Sequence, residues 1–229
     1  FTGAVSIEGK DVAVTDISAT VLGSSTVTGT YQVTSKGAVS QLSGTALKIS
    51  LATTISAVNG SSVKQDVTLT SASNNFLGAV GITGADVKIT DMDTLDLGAS
   101  TIGGTYDVIA TIGNITQSAG LTVSGASTFE TKAENGTIFC FDSSCTSAGG
   151  TNAFSGTVKL TTTGSAAHAY IDNGTTALQI ADGSSVGGDL RLVSGHDNSG
   201  GSNAIIDEGT LTVGGDLYAT TDDGNGIIN

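Results

Sequence analysis

One stretch of this chain is written twice. Moving the sequence along by 75 positions lays Phe1, Gly3, Ala4, Val5, Ile7, Gly9, Asp11 and Val12 on the identical residues Phe76, Gly78, Ala79, Val80, Ile82, Gly84, Asp86 and Val87. The match continues through Thr15 and Asp16, Leu22 and Gly23, and Thr30, Tyr31 and Val33. A looser third copy opens at Phe154 with FSGTVKL. Self-similarity of this kind marks units that cannot bury their apolar face alone and must stack on one another. It divides the 229 residues into long units at 1–75, 76–153 and 154–229 of one continuous domain.

Inside each unit, apolar residues alternate with polar ones over short runs: Val5 and Ile7, Val12 and Val14, Val87 and Ile89, Leu95 and Leu97, Leu121 and Val123, Leu211 and Val213. Period two is the pattern of half-buried strands. Gly, Asn, Asp and Ser stand between the runs and supply tight turns. No apolar spacing settles at 3.6, so essentially no α-helix is expected. Val186-Gly-Gly-Asp-Leu190 returns as Val213-Gly-Gly-Asp-Leu217, a step of 27 residues, which fits one coil of a solenoid better than a propeller blade of about 40 to 50. The absence of Pro suits strands whose amides pair on both sides. The expected fold is all-β, a right-handed parallel β-helix of roughly nine to eleven coils, about 45 to 50 Å long. Its lumen, lined by Val, Ile, Leu, Ala, Thr and Ser, is expected to be too narrow for aromatic rings.

Composition excludes several partners. The net charge is −13, with eight basic residues, of which Arg191 is the single arginine. No basic stripe exists, so nucleic acid has nothing to bind, and anionic membrane surfaces repel the chain. No apolar run is long enough to form a transmembrane segment. The chain starts inside a repeat and stops at GIIN, so it is expected to be an excerpt of a longer one.

At LDLGASTIGGTYDVIATIGNITQSAGLTVSGASTF the chain resembles the repeat region of large secreted bacterial adhesins of the filamentous haemagglutinin type. Leu95-Asp-Leu-Gly98, Ile115-Thr-Gln-Ser118 and Leu121-Thr-Val123 stand where that repeat has LDLG, ITQS and LTV. Val39-Ser-Gln41 and Leu47-Lys-Ile49 are a worn first copy, and the third unit keeps the GGxLxL and GTLTVGG portions. The resemblance implies a parallel β-helix exported across the outer membrane and an extracellular or outer-surface location. The family's secretion module carries an Asn-Pro motif, and this chain contains no Pro. The function expected is a non-enzymatic rod segment of a giant surface adhesin or filament. It would project a binding tip or assemble through neighbouring coils and further copies of itself. The alternative is a carbohydrate-binding or carbohydrate-cleaving β-helix, which needs aromatic and charged residues gathered across several coils.

Candidate chemistry is sparse. Carboxylate pairs that could act as in glycosidases occur at Asp91 and Asp93, Asp207 and Glu208, and Asp222 and Asp223, each in turn-like text that favours a solvated role. Asp189 and Arg191 share a strand face and are expected to form a structural pair or a solvated face rather than a lyase centre. His168 and His196 lie in loop-like stretches read as lateral excursions from the rod, without a neighbouring nucleophile pattern. No cofactor is expected. His196–Asn203 and Thr220–Gly226 are oxygen-rich enough for Ca²⁺ but match neither the nonapeptide calcium repeat nor an EF-hand loop. Sequons stand at Asn59, Asn114, Asn135 and Asn173.

Cys140 and Cys145 are spaced C-x4-C. They could be buried thiols, a disulfide closing a small loop, or metal ligands. A zinc site wants about four ligands and neither His is near in sequence, so the structural disulfide is preferred. It would imply an oxidising compartment and contribute less than the roughly 3 kcal/mol of a 15-residue loop. Thiol titration of the denatured, unreduced protein is expected to find no free cysteine; two reactive thiols would remove this support for secretion.

Overall fold

The computed structural model describes residues 1–140, 150–195 and 204–221. They form 27 strands and, among the described residues, no helix. Every ladder between these strands is parallel. Each strand pairs with one from the next winding rather than with its neighbour in sequence. Val12–Asp16 lies beside Tyr31–Ser35, which lies beside Thr53–Ala57 and then Val80–Gly84. The largest sheet has eleven strands, nine of which stack in one continuous path from Thr20–Leu22 through Val87–Asp91 and Ser127–Glu134 to Ile205–Asp207. The fold is a parallel β-helix, and nine stacked strands agree with the coil number read from the sequence.

Alternation becomes burial directly. In Tyr31–Ser35 every second residue is buried and the others are exposed. Val14, Val33, Ile55 and Ile82 stand in register, one per winding, and each is 4% exposed or less. Removing such a side chain from water contributes about 1.5–3 kcal/mol.

The lumen is wider than the sequence implied. Tyr31, Phe76, Tyr106, Phe129, Phe139 and Phe154 are all fully buried. Phe129 meets Tyr106, Phe139 and Phe154 edge-on, with centroids 5.9, 4.7 and 5.7 Å apart, the geometry that the ring quadrupole favours. Rings fit because an inner row need not repeat one residue. Tyr31 lies between Val12 and Thr53, and Tyr106 between Val87 and Ser127. Small neighbours above and below make the room.

The 75-residue unit is not a whole number of windings. Val12–Asp16 lies in the nine-stranded sheet, whereas its copy Val87–Asp91 lies in the larger, eleven-stranded sheet. Windings also differ in length. In that larger sheet the step from Val87 to Tyr106 takes 19 residues, and the step from Ser127 to Val158 takes 31. The longer one carries Cys140 and the stretch 141–149.

Corners are held by side chains. Asp11 Oδ1 accepts the Thr30 N–H at 2.9 Å, and Asp86 Oδ1 accepts the Thr105 N–H at 2.7 Å. Both aspartates belong to the identities between units one and two. A Cβ at Gly29 or Gly104 would strike the same carboxylates, so the clamp and the glycine are kept together. Inside, Gln41 and Asn74 exchange two amide hydrogen bonds, and Gln117 repeats the exchange with Asn152.

The third unit corrects one expectation. Ala169–Asp172 is not a lateral excursion: Ala169 and Ile171 are fully buried, and the strand pairs with Leu190–Ser194. Its alternation is short but complete. The polar loop at Asp197–Asn203 lies outside the described residues.

Phe129 touches three other rings, so Phe129→Ala is expected to lower stability by about 3–5 kcal/mol. The outward neighbour Thr128→Ala should cost a few tenths. Equilibrium urea unfolding of both variants measures the difference.

Candidate functional site

The second and third long units each open on a buried Phe whose backbone nitrogen needs an acceptor inside the rod. Phe76 N–H donates to Asp91 Oδ1 at 3.1 Å, and Phe154 N–H donates to Asn173 Oδ1 at 2.7 Å. The Phe1 amino group pairs with Asp16 Oδ2 at 3.0 Å. Asp91 is therefore not the solvated turn residue read from the sequence. Its exposure is 0%, because the strand Val87–Asp91 ends by turning the carboxylate into the corner. Burial pushes this carboxyl up to about 6, against the Phe76, Asp93 and Met92 N–H groups that favour the ion. The third unit meets the same need without a charge. Asn173 accepts from Phe154 and gives its own amide hydrogens to the carbonyls of Phe154, Thr176 and Ala177.

The other candidates separate. Asp93 is half-buried beside Asp91, its own N–H donating to Asp91 Oδ2 at 3.3 Å. Asp207 and Glu208 are exposed, the solvated role expected of them. Asp222, Asp223, His196, Cys145 and the oxygen-rich stretch 196–203 lie outside the described residues, as does 222–226 of the second such stretch. Cys140 is buried at the edge of the described chain. Among the described residues, no three His, Cys, Asp or Glu side chains gather as metal ligands. Of the sequons, Asn59 closes its own turn by accepting from Ser61 and Val63. Asn114 and Asn135 accept from Thr137 and Ala166 of the following winding. Asn173 is fully buried.

Asp189 and Arg191 do not pair with each other. The Asp189 N–H donates to His168 Nδ1 at 2.8 Å, which places the ring proton on Nε2, and Asp189 Oδ1 accepts the Asp216 N–H at 2.8 Å. Arg191 instead lies over the Tyr218 ring, 4.2 Å from its centroid, and the Tyr218 hydroxyl donates to Asp216 Oδ2 at 3.1 Å. That carboxylate raises the Tyr218 hydroxyl above its ordinary pKa. Sequence reasoning missed this assembly because its members lie 21 to 27 residues apart and meet only when windings stack.

A groove of about 580 Å³ runs across the outer face of the largest sheet. Lys88, Asp107, Glu130 and Lys159 line it with Thr90 and Thr161. Lys88 Nζ and Asp107 Oδ2 are 3.4 Å apart and well exposed, a contact that contributes little in water.

A family model described as repeats of unknown function (DUF5649) matches residues 9–83 and again 84–161. No curated protein and no solved structure matches the chain.

Asp91 makes a signed pH prediction. Its folded-state pKa of about 6 lies above the ordinary 3.8, so its contribution is fully present below 3.8 and is lost as pH rises through 6. Asp91→Asn, which copies Asn173, is expected to raise stability at pH 7.5 by about 1–3 kcal/mol. Urea unfolding of both proteins from pH 4 to pH 8 should show the gap widening with pH.

Proposed function

The chain belongs to this family of repeats, and from that premise we propose that it is a non-enzymatic rod segment of a secreted or cell-surface bacterial protein of the filamentous haemagglutinin type. The observation that carries the proposal is the uniform parallel ladder, in which each winding is the template for the next. A body built this way grows in one direction, each winding adding about 4.8 Å, and suits spacing or projection.

The disposition of reactive side chains supports a scaffold role. Asp91 is buried and serves a backbone amide. His168 spends Nδ1 on the next winding. The carboxylates at Asp207 and Glu208 face solvent. The proposed C140–C145 disulfide would fit an oxidising exterior. The acidic surface, at net charge −13, would keep neighbouring rods apart laterally. The unpaired edges of a parallel ladder are where further coils or further copies add.

Electron microscopy of native cells labelled with antibody to this chain is expected to place the label on straight surface rods or fibres. Label confined to the cell interior or to compact particles overturns the proposal. Incubation with a polysaccharide panel should release no reducing ends and no unsaturated products; either product would restore the enzymatic alternative.

A further inference from the structure

The three long units place the same three outward positions in register on successive windings. In unit one they are Ala13, Gln32 and Thr54; in unit two, Lys88, Asp107 and Thr128. In unit three they are Tyr170, Arg191 and Tyr218. The inward position beside each stays apolar throughout: Val14, Val33 and Ile55; Ile89, Val108 and Phe129; Ile171, Leu192 and Ala219. Windings therefore stack under a small polar column, an ion pair, or two tyrosines in register with an arginine between them. Stacking does not require the third arrangement.

That arrangement also concentrates rare residues. Arg191 is the only arginine, and Tyr170 and Tyr218 are the two of four tyrosines that lie outside the lumen. Beside the column, two residues earlier on each winding, stand His168, Asp189 and Asp216, linked by the hydrogen bonds described above. Tyr218 is 41% exposed. The column and its flank lie beyond residue 161, outside the two matched repeats.

We propose that this face of the third unit is a recognition site for a neutral glycan. Aromatic rings offer apolar surface to the C–H faces of a sugar. Guanidinium, imidazole N–H, hydroxyl and carboxylate groups at close spacing match its hydroxyls as donors and acceptors. Successive positions are about 4.8 Å apart, close to the length of one sugar in an extended chain. Asp172, Asp189 and Asp216 outnumber the single guanidinium, which disfavours an anionic polymer. A protein partner would want its Tyr and Arg anchors inside a dry apolar surround, whereas this column is flanked by His168, Asp189, Asp216, Asp172 and Thr220, with Val193 the one apolar residue among them. The site gives the proposed rod something to hold, and it fails separately, because binding in solution is indifferent to where the rod resides.

The test is affinity electrophoresis of the whole chain in gels containing yeast mannan, laminarin or galactan, with polygalacturonate and heparin as anionic counterparts. Retardation by at least one neutral polymer is expected. It should weaken about tenfold or more in Arg191→Ala and in Tyr218→Ala, and persist in Lys88→Ala. A triple variant, Tyr170→Ala with Arg191→Gln and Tyr218→Thr, installs the column of unit one and so keeps a pattern that the fold already accepts. It should lose retardation with an unchanged circular dichroism spectrum. The proposal is overturned by no retardation in any neutral gel, by retardation only in anionic gels, or by a triple variant that binds like the parent. Self-association in sedimentation that vanishes in the triple variant, without glycan binding, would assign the face to a second copy instead.

Discussion

The structure depends on one interaction, the parallel backbone ladder between windings. Each strand's amides and carbonyls find partners in the windings before and after it, so the backbone, rather than side-chain chemistry, joins the coils. Residues facing inward must then fill a lumen at close-packed density. Residues facing outward are almost unconstrained. This asymmetry explains why Val12 and Val87, or Tyr31 and Tyr106, are kept between units, while Ala13 and Lys88 beside them are not.

Some amides at the corners find no backbone partner in the next winding, and buried polar side chains take over there. Ser25 Oγ accepts the Ile7 N–H, and its counterpart Ser100 accepts that of Ile82. Asn74 and Asn152 accept the N–H groups of Leu47 and Leu121. Asp91 and Asn173 do the same for Phe76 and Phe154. An unpaired buried amide costs about as much as a lost hydrogen bond, which is reason enough to retain these residues. At Phe76 the acceptor is a carboxylate rather than an amide, so that corner also carries an ionisable group, and burial raises its pKa. Asp91 is thus a structural residue whose charge state matters.

Much of this was legible in the residues. Alternation located Val12–Asp16, Leu95–Leu97 and Leu121–Val123 as half-buried strands, and the repeat marked Asp11 and Asp86 as equivalent positions, whose shared corner role only the structure shows. The burial of Asp91 was not legible, because Thr-Asp-Met-Asp reads as turn text and its acceptor role is set by Phe76, fifteen residues earlier. Nor was the aromatic cluster. Phe129 meets Phe154 and Phe139 only because the long winding between Ser127 and Val158 returns over the same spot.

Composition and period fixed the class of fold, since a period of two with Gly, Asn and Asp turns, and with no Pro, permits strands and little else. The repeat fixed that units stack. Register was decided only in three dimensions. A unit of 75 residues is three windings and one face more, which rotates identical sequence onto a different sheet. The same stacking aligned Tyr170, Arg191 and Tyr218, which sequence spacing leaves apart. Pairing between windings depends on how many residues each turn consumes, and that count is set by packing around the lumen rather than by any local pattern.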